Sequence, residues 1–277
     1  MDTIKILQAQ MRISPDKPSI LQQLYDIFRE AKARKADMIT LPEMFCCPYE
    51  AANFPLYAEP EDGDILKACA ELSKQHKIYL SAGSVPELGE AGKVYNTAYV
   101  FDRNGEKIAK HRKMHLFDIS VTGGQTFRES DTLSAGNDVT TFETEFGTMG
   151  LCVCYDFRFP ELGRLMALKG AQLVFVPAAF NWTTGPAHWE LTFRAQAMFN
   201  QFFAVGTSSA FDANASYHAW GHSIAVDPWG TVLAHMDEKA GFQFVELDLS
   251  RTKQIRQQLP LLQHRRTDIY TLKEKEL

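Results

Sequence analysis

Strand-like and helix-like segments alternate along almost the whole chain, and this alternation predicts an α/β fold. Two further observations agree with it. Residues 173–177 and 202–207 are continuous apolar runs, the pattern of strands buried on both faces. Nothing in the 277 residues reads as a linker, a low-complexity tract or a repeat. The expectation is one domain over 1–277, with 250–277 as its C-terminal helix and tail.

Each element has its own signal. Residues 4–11 are short, apolar and alternating, hence a strand. From 17 to 35, Ile20, Leu24, Ile27, Phe28 and Ala31 recur at helical spacing and predict one buried stripe. Residues 38–41 form a short strand that Pro42 closes, because proline has no N–H for the ladder. A helix over 65–76 precedes strands at 78–85 and 95–102, and Arg103-Asn104-Gly105-Glu106 is a turn by its chemistry. Residues 140–154 read as two strands hinged at Gly147, and Pro160 opens a helix over 161–168 that Gly170 ends. The first buried strand, 173–177, leads to a helix over 188–201 and then to the second, 202–207. A hairpin about Asp227-Pro228-Trp229-Gly230, a strand over 242–249 and a basic helix after Ser250 complete the pattern.

Composition narrows the function classes. Apolar residues make up 45% and charged residues 23%, an ordinary globular mix. Lys and Arg total 29 against 34 Asp and Glu, a net charge of −5 that argues against a phosphate-tracking surface, so no nucleic-acid partner is expected. No apolar run reaches the roughly 20 residues that span a bilayer, so no membrane partner is expected. The opening MDTIKILQAQM lacks the basic and long apolar regions of a secretory signal. Five cysteines without framework spacing suggest free thiols in a reducing compartment, so the expected location is the cytoplasm.

Chemistry becomes legible at Leu151-Cys152-Val153-Cys154-Tyr155-Asp156-Phe157-Arg158, where an apolar strand runs into a cysteine shortly before a helix. A nucleophile on such a turn is presented beside backbone N–H groups that can receive an oxyanion. Cys152, inside the strand, reads as a small apolar core residue. Leu41-Pro42-Glu43-Met44-Phe45 sets a carboxylate between apolar groups, whose desolvation would raise its pKa and suit it to proton transfer. His111-Arg112-Lys113-Met114-His115-Leu116-Phe117-Asp118 mixes cations with apolar residues, and a lysine held there could act on a developing negative charge.

Together the three segments resemble the signature of the carbon–nitrogen hydrolase, or nitrilase, superfamily, whose catalytic set is Glu, Lys and Cys in that chain order. The resemblance carries Glu43, Lys113 and Cys154 into those roles and makes Glu129, in Thr126-Phe127-Arg128-Glu129-Ser130, a second glutamate that positions Lys113 or the substrate. Tyr95-Asn96-Thr97, His115-Leu116-Phe117-Asp118-Ile119, the run from Asn181 to Leu191 and Ala219-Trp220-Gly221-His222-Ser223 are similar to the Nit branch, and within it to the omega-amidases. The chain departs from those at Thr122-Gly123-Gly124, where they tend to carry Pro-Gly.

The resemblance implies a four-layer α-β-β-α sandwich and a homodimer or higher homo-oligomer. It also implies a small-molecule amide substrate, a dicarboxylate monoamide such as 2-oxoglutaramate, cleaved to the acid and ammonia through a thioester on Cys154. No step calls for a metal or organic cofactor. The oxyanion would meet Lys113 and a backbone N–H, that of Tyr155. Arg158, four residues beyond the cysteine, suits a carboxylate by its planar fork, and the resemblance favours the distal carboxylate of the substrate; from sequence alone an ion pair with Asp156 or Glu161 is equally open. Phe180 and Thr184 match positions that line the pocket, and Tyr49 is a further candidate lining residue.

Rival classes fit less well. A papain-type protease needs its Cys–His context, and no G-x-G-x-x-G follows a strand as in nucleotide-dependent oxidoreductases. Cys46-Cys47 and Cys152/Cys154 lack a zinc-ligand spacing, and His218/His222 stands alone as an i, i+4 pair next to glycine. An assembly module on the same fold would have no need of all three of Glu43, Lys113 and Cys154. Among enzymes, the competitor is an amidase acting on deaminated glutathione.

Overall fold

The computed structural model describes residues 2–275. Fourteen strands and six helices are laid down among them, in two six-stranded sheets and a small hairpin. Strand β1 (Thr3–Gln10) is followed by helix α1 (Lys17–Ala33), strand β2 (Met38–Thr40), a single turn α2 (Phe54–Tyr57), helix α3 (Asp64–His76), and strands β3 (Tyr79–Leu88), β4 (Val94–Phe101) and β5 (Lys107–Arg112). A hairpin of β6 (Asp118–Ser120) and β7 (Thr126–Arg128) precedes β8 (Thr140–Thr144) and β9 (Gly147–Leu151). Helix α4 (Pro160–Leu168), β10 (Leu173–Ala178), α5 (Gly185–Asn200), β11 (Phe203–Ser208), β12 (Ile224–Val226), β13 (Val232–His235), β14 (Gly241–Asp248) and α6 (Ser250–Gln258) complete the order.

The first sheet runs β14-β1-β2-β3-β4-β5 and the second β13-β12-β11-β10-β9-β8. In each, a parallel centre carries antiparallel flanks, with β1, β2 and β3 parallel in one and β9, β10 and β11 in the other. Ile20, Leu24, Ile27 and Phe28 of α1 and Ile65, Leu66 and Cys69 of α3 share one core with Leu7, Ala9, Ile39 and Leu80 on the outer face of the first sheet. Leu162 and Met166 of α4 and Trp189 and Phe193 of α5 join a second core built on the second sheet, and Ile4, Ile6, Met38, Ala98 and Val100 bring the inner face of the first sheet into it. Period-two alternation on β1 thus sends Ile4 and Ile6 to one layer and Leu7 and Ala9 to another. The result is an α-β-β-α sandwich, as expected.

Polar ties also cross the interface. Gln8 Nε2 donates to the carbonyl of Gly206 at 2.8 Å, and the Thr40 and Thr207 hydroxyls meet at 2.6 Å. Ser223 donates through N and Oγ to Gln10 Oε1, both at 2.8 Å. These pairs satisfy polar groups that would otherwise be costly between two apolar layers.

The boundaries differ from expectation at identifiable places. Helix α1 ends at Ala33 rather than residue 35, because Lys35 already has φ 56°. Helix α5 begins at Gly185, three residues early, with Pro186 in its first turn and Asn181 Oδ1 accepting from the Thr184 N–H. The strand expected to reach Cys154 stops at Leu151, and the cysteine opens a turn of 3-10 helix, Cys154–Arg158. No helix among the described residues is long and apolar enough to cross a membrane.

Candidate active site

Glu43 follows the end of β2, where Pro42 breaks the ladder and the chain turns through Met44 at φ 49°. Strand β3 accommodates that turn by a bulge between Ser81 and Ser84. Within the bulge Gly83 has φ +57°, and a Cβ there would lie 2.1 Å from the Pro42 carbonyl oxygen. The Ser84 N–H donates to that carbonyl at 3.2 Å, and Ser84 Oγ accepts from the Met44 N–H at 3.0 Å. Glycine is therefore required where the backbone carrying Glu43 crosses β3. Gly83→Ala should lower stability by about 2 kcal/mol or more and any turnover at this site by roughly 10²-fold through displacement of Glu43, seen in urea unfolding and steady-state rates.

Lys113 lies one residue beyond β5, with its N–H on the Asn96 carbonyl at 2.8 Å. Alternation along β5 buries His111 and Lys113 completely, while Lys110 and Arg112 turn outward to Glu87. The mixture of cations and apolar residues at the start of this segment therefore reflects a strand with two sides. Glu129 arrives from β7, past the turn containing Thr122-Gly123-Gly124, and is fully buried. The departure of that turn from Pro-Gly leaves Glu129 well anchored: its Oε2 accepts from the Phe117 N–H at 2.7 Å.

These side chains meet. Lys113 Nζ donates to Glu43 Oε1 at 2.8 Å and to Glu129 Oε1 at 2.9 Å. The Tyr49 hydroxyl contacts the same two oxygens at 3.0 and 2.6 Å, and Asn96 Nδ2 adds a third contact to Glu43 Oε1 at 2.8 Å. Glu43 Oε2 is buried with no hydrogen-bond partner among the described residues. That carboxylate thus has one oxygen held by three groups and the other left over for chemistry.

Cys154 stands against this cluster at φ 48°, a backbone conformation that non-glycine residues seldom adopt and that concentrates at functional sites. Burial, then the nearby Glu43 carboxylate, push its thiol well above the usual cysteine range, against the pull of Lys113. Lys113 could favour the thiolate or Glu43 could take the proton, and this direction favours the second, since the Lys113 ammonium is already engaged by two carboxylates. Burial also raises the Glu43 pKa, with Glu129 adding to the rise and Lys113 opposing it. Burial alone would lower the Lys113 pKa, but Glu129 and Glu43 outweigh it and hold the ammonium charged.

Asp156 ties the lysine segment to the cysteine turn. Its carboxylate accepts from His111 Nε2 at 3.0 Å, His115 Nδ1 at 2.7 Å and the backbone N–H groups of Val153 and His115 at 3.1 and 2.8 Å. Burial opposes its ionisation, but the bonds from His111 and His115 prevail and hold its pKa well below the carboxylate range. So Asp156 is not the ion-pair partner of Arg158, and neither is Glu161. Arg158 instead donates from Nη1 to His188 Nδ1 at 2.8 Å and lies over the Phe180 ring, 4.2 Å from its centroid.

The other expected residues have clear places. Phe180 is buried, edge-on to Trp189 at 4.9 Å. The ring of Tyr155 lies 5.9 Å from the Arg158 guanidinium carbon. Thr184 directs its hydroxyl to Asn181 Oδ1 at 3.0 Å, at the start of α5, and makes no hydrogen bond to Glu43, Lys113 or Glu129 among the described residues. Tyr49 belongs to the carboxylate cluster rather than to a pocket wall alone. Three residues beyond the expected set are also here: Asn96, His188 and Tyr217, whose ring packs 4.5 Å from Tyr49 and whose hydroxyl donates to the Ala179 carbonyl at 2.5 Å. Asn96 and His188 lie in segments already singled out by resemblance, and an asparagine in mid-strand was a further signal for the first, since β-strands disfavour it. No local pattern marks Tyr217. Among the described residues, no group of three or more His, Cys, Asp and Glu side chains is arranged to hold a metal ion.

Comparison with known proteins gives the family and the fold. The family model for carbon–nitrogen hydrolases matches residues 6–257. Omega-amidase NIT2 of Mus musculus is 45% identical over 276 residues, covering 100% of both chains. The crystal structure of Nit3 of Saccharomyces cerevisiae, a member of branch 10 of the nitrilase superfamily, superposes with a TM-score of 0.88 at 39% identity, over 96% of this chain and 97% of that one. The NitFhit protein of C. elegans gives a TM-score of 0.92 at 34% identity, over 100% of this chain and 68% of that one.

Proposed function

The chain belongs to the carbon–nitrogen hydrolase family, and on that premise we propose that it is an omega-amidase, a cysteine-dependent hydrolase of the terminal amide of dicarboxylate monoamides, 2-oxoglutaramate among them. The observation that carries the reading is the buried cluster of Glu43, Lys113 and Glu129 set against Cys154.

An amide is a poor electrophile, so the nucleophile must be generated on demand. Glu43 takes the thiol proton as Cys154 sulfur bonds to the carbonyl carbon, which converts the carbonyl oxygen to an oxyanion. Lys113 and the Tyr155 N–H receive that charge; one such donor is worth about 3–4 kcal/mol of barrier. Glu43 passes its proton to the nitrogen, the carbon–nitrogen bond breaks, and ammonia leaves a thioester on Cys154. A water then attacks, Glu43 takes one of its protons, and the collapse returns the sulfur as a thiol with release of the acid. Glu129 and Tyr49 keep Lys113 and Glu43 in register throughout.

Arg158 holds the distal carboxylate of the substrate. It is free of carboxylate partners among the described residues and closes the turn that Cys154 opens. Arg158→Met should raise KM for 2-oxoglutaramate by about 10- to 100-fold with a smaller change in kcat, and Arg158→Lys should not restore it, because an ammonium cannot make the bidentate contact. The direct test is ammonia release from 2-oxoglutaramate and from deaminated glutathione side by side. A kcat/KM at least about tenfold higher for 2-oxoglutaramate is expected; preference for deaminated glutathione would move the chain to the sister amidase.

The same reading carries a single catalytic domain, a cytoplasmic location and a homodimer or higher homo-oligomer. All five cysteines are free, which fits a reducing compartment. Leu259, Ile269 and Tyr270, each more than 40% exposed, give the C-terminal segment apolar surface for a second copy, and light scattering would reveal the assembly.

A further inference from the structure

Arg158 is steadied by contacts on its inner edge and flat face, not by an opposing charge. Its Nη1 donates to His188, its flat face rests on Phe180, and Nε and Nη2 have no partner among the described residues. Nε and Nη2 form the edge of a guanidinium that grips a carboxylate with two parallel bonds. Arginine has no acceptor atom, so His188 Nδ1 must offer its lone pair, which puts the ring proton on Nε2 and leaves the imidazole neutral. Burial and the Arg158 charge both lower the His188 pKa and so favour that neutral form.

His188 is itself well fixed. It sits in the first turn of α5, where its N–H donates to the Thr184 carbonyl at 2.9 Å. The neighbouring Trp189 is buried and donates from Nε1 to the His222 carbonyl at 2.6 Å. The start of the helix is held by Asn181 through Thr184. A rigid helix end therefore presents an acceptor to a long side chain with several free torsions.

We infer that His188 is a positioning residue for substrate selection: by accepting from Nη1 it pins the Arg158 guanidinium so that the Nε–Nη2 edge meets the distal carboxylate. This rests on the reading of Arg158 given above. Without the acceptor, ordering Arg158 falls to substrate binding, which weakens affinity and leaves the reacting groups untouched.

The test is steady-state hydrolysis of 2-oxoglutaramate by His188→Ala, His188→Asn and Arg158→Met. His188→Ala should raise KM by about tenfold, the scale of one hydrogen bond to a charged group, with kcat held within about twofold. His188→Asn, whose amide oxygen can replace Nδ1 as acceptor, should recover most of that affinity. An unchanged KM in His188→Ala, a fall in kcat in place of a KM effect, or an asparagine variant no better than alanine would overturn the inference. Arg158→Met separates the two levels. If it raises KM while His188→Ala does not, only the positioning role fails; if it leaves KM unchanged, the carboxylate-binding reading fails as well.

Discussion

Cys154→Ala should abolish ammonia release from 2-oxoglutaramate, a loss of at least about 10⁴-fold, while the protein folds and melts much as before. The thiol is the one cysteine among the described residues set against Glu43 and Lys113; Cys152, two residues earlier, is buried beside the Phe175 carbonyl, to which its N–H donates at 3.2 Å. Burial and Glu43 hold the thiol pKa up, so the proposed route has Glu43 remove the proton as the bond forms, and alanine offers nothing to deprotonate. Alanine tolerates the φ of 48° no worse than cysteine, so the stability cost is that of one small buried group, on the order of 1 kcal/mol. Intact-mass measurement after rapid acid quench gives the covalent readout. The native chain should carry the acyl mass during turnover and Cys154→Ala none. Appreciable turnover by the alanine variant would remove the sulfur from the mechanism.

The three motifs that marked Glu43, Lys113 and Cys154 were legible because each is a local run in which a reactive side chain meets a strand end. Pro42 after a short strand and Pro160 at a helix start are punctuation that a linear reading detects. The layers were legible for a similar reason: β10 and β11 are apolar throughout, as strands covered on both faces must be. Strand β5 was hidden by its charge. Lys107, Lys110 and Arg112 find carboxylates at Glu61 and Glu87 on one side, so a two-faced strand looks like a solvated basic run. Strands β6 and β7, three residues each, are too short to carry a period at all.

Partnership across the fold was the least legible property. Asp156 lies two residues from Arg158, and local charge logic pairs them. The folded chain instead gives Asp156 to His111 and His115, more than 40 positions away, because a fully buried carboxylate is satisfied best where several donors converge. Arg158 is thereby released for a ligand. The same holds for Tyr49 and Glu129, 80 positions apart yet 2.6 Å in contact. Spacing in sequence carries periodicity; it carries no record of which turns the sheets bring together.

Lys113→Met should be the most damaging substitution for stability. It removes the only cation among the described residues bonded to both Glu43 and Glu129 while leaving the two carboxylates buried around one point. Breaking a buried pair in this way typically costs about 3–5 kcal/mol, and turnover should fall by at least about 10²-fold for want of an oxyanion partner. The pH dependence follows from the direction of the shift. Burial already raises Glu43 above the ordinary carboxylate range, and loss of Lys113 removes the main opposing influence. A carboxyl whose folded pKa exceeds its unfolded one is protonated preferentially in the native state. The variant is therefore least stable above the folded pKa and regains stability as pH falls through it toward the unfolded value. Urea unfolding at pH 7.5 and at pH 5 should show the deficit of Lys113→Met shrinking at the lower pH. Adding Glu129→Gln to the same chain should recover much of the loss at pH 7.5 without restoring ammonia release, because the repulsion is then gone and the charge facing the oxyanion is still absent. Equal deficits at both pH values, or a double variant no more stable than Lys113→Met, would mean that the lysine contributes packing rather than charge.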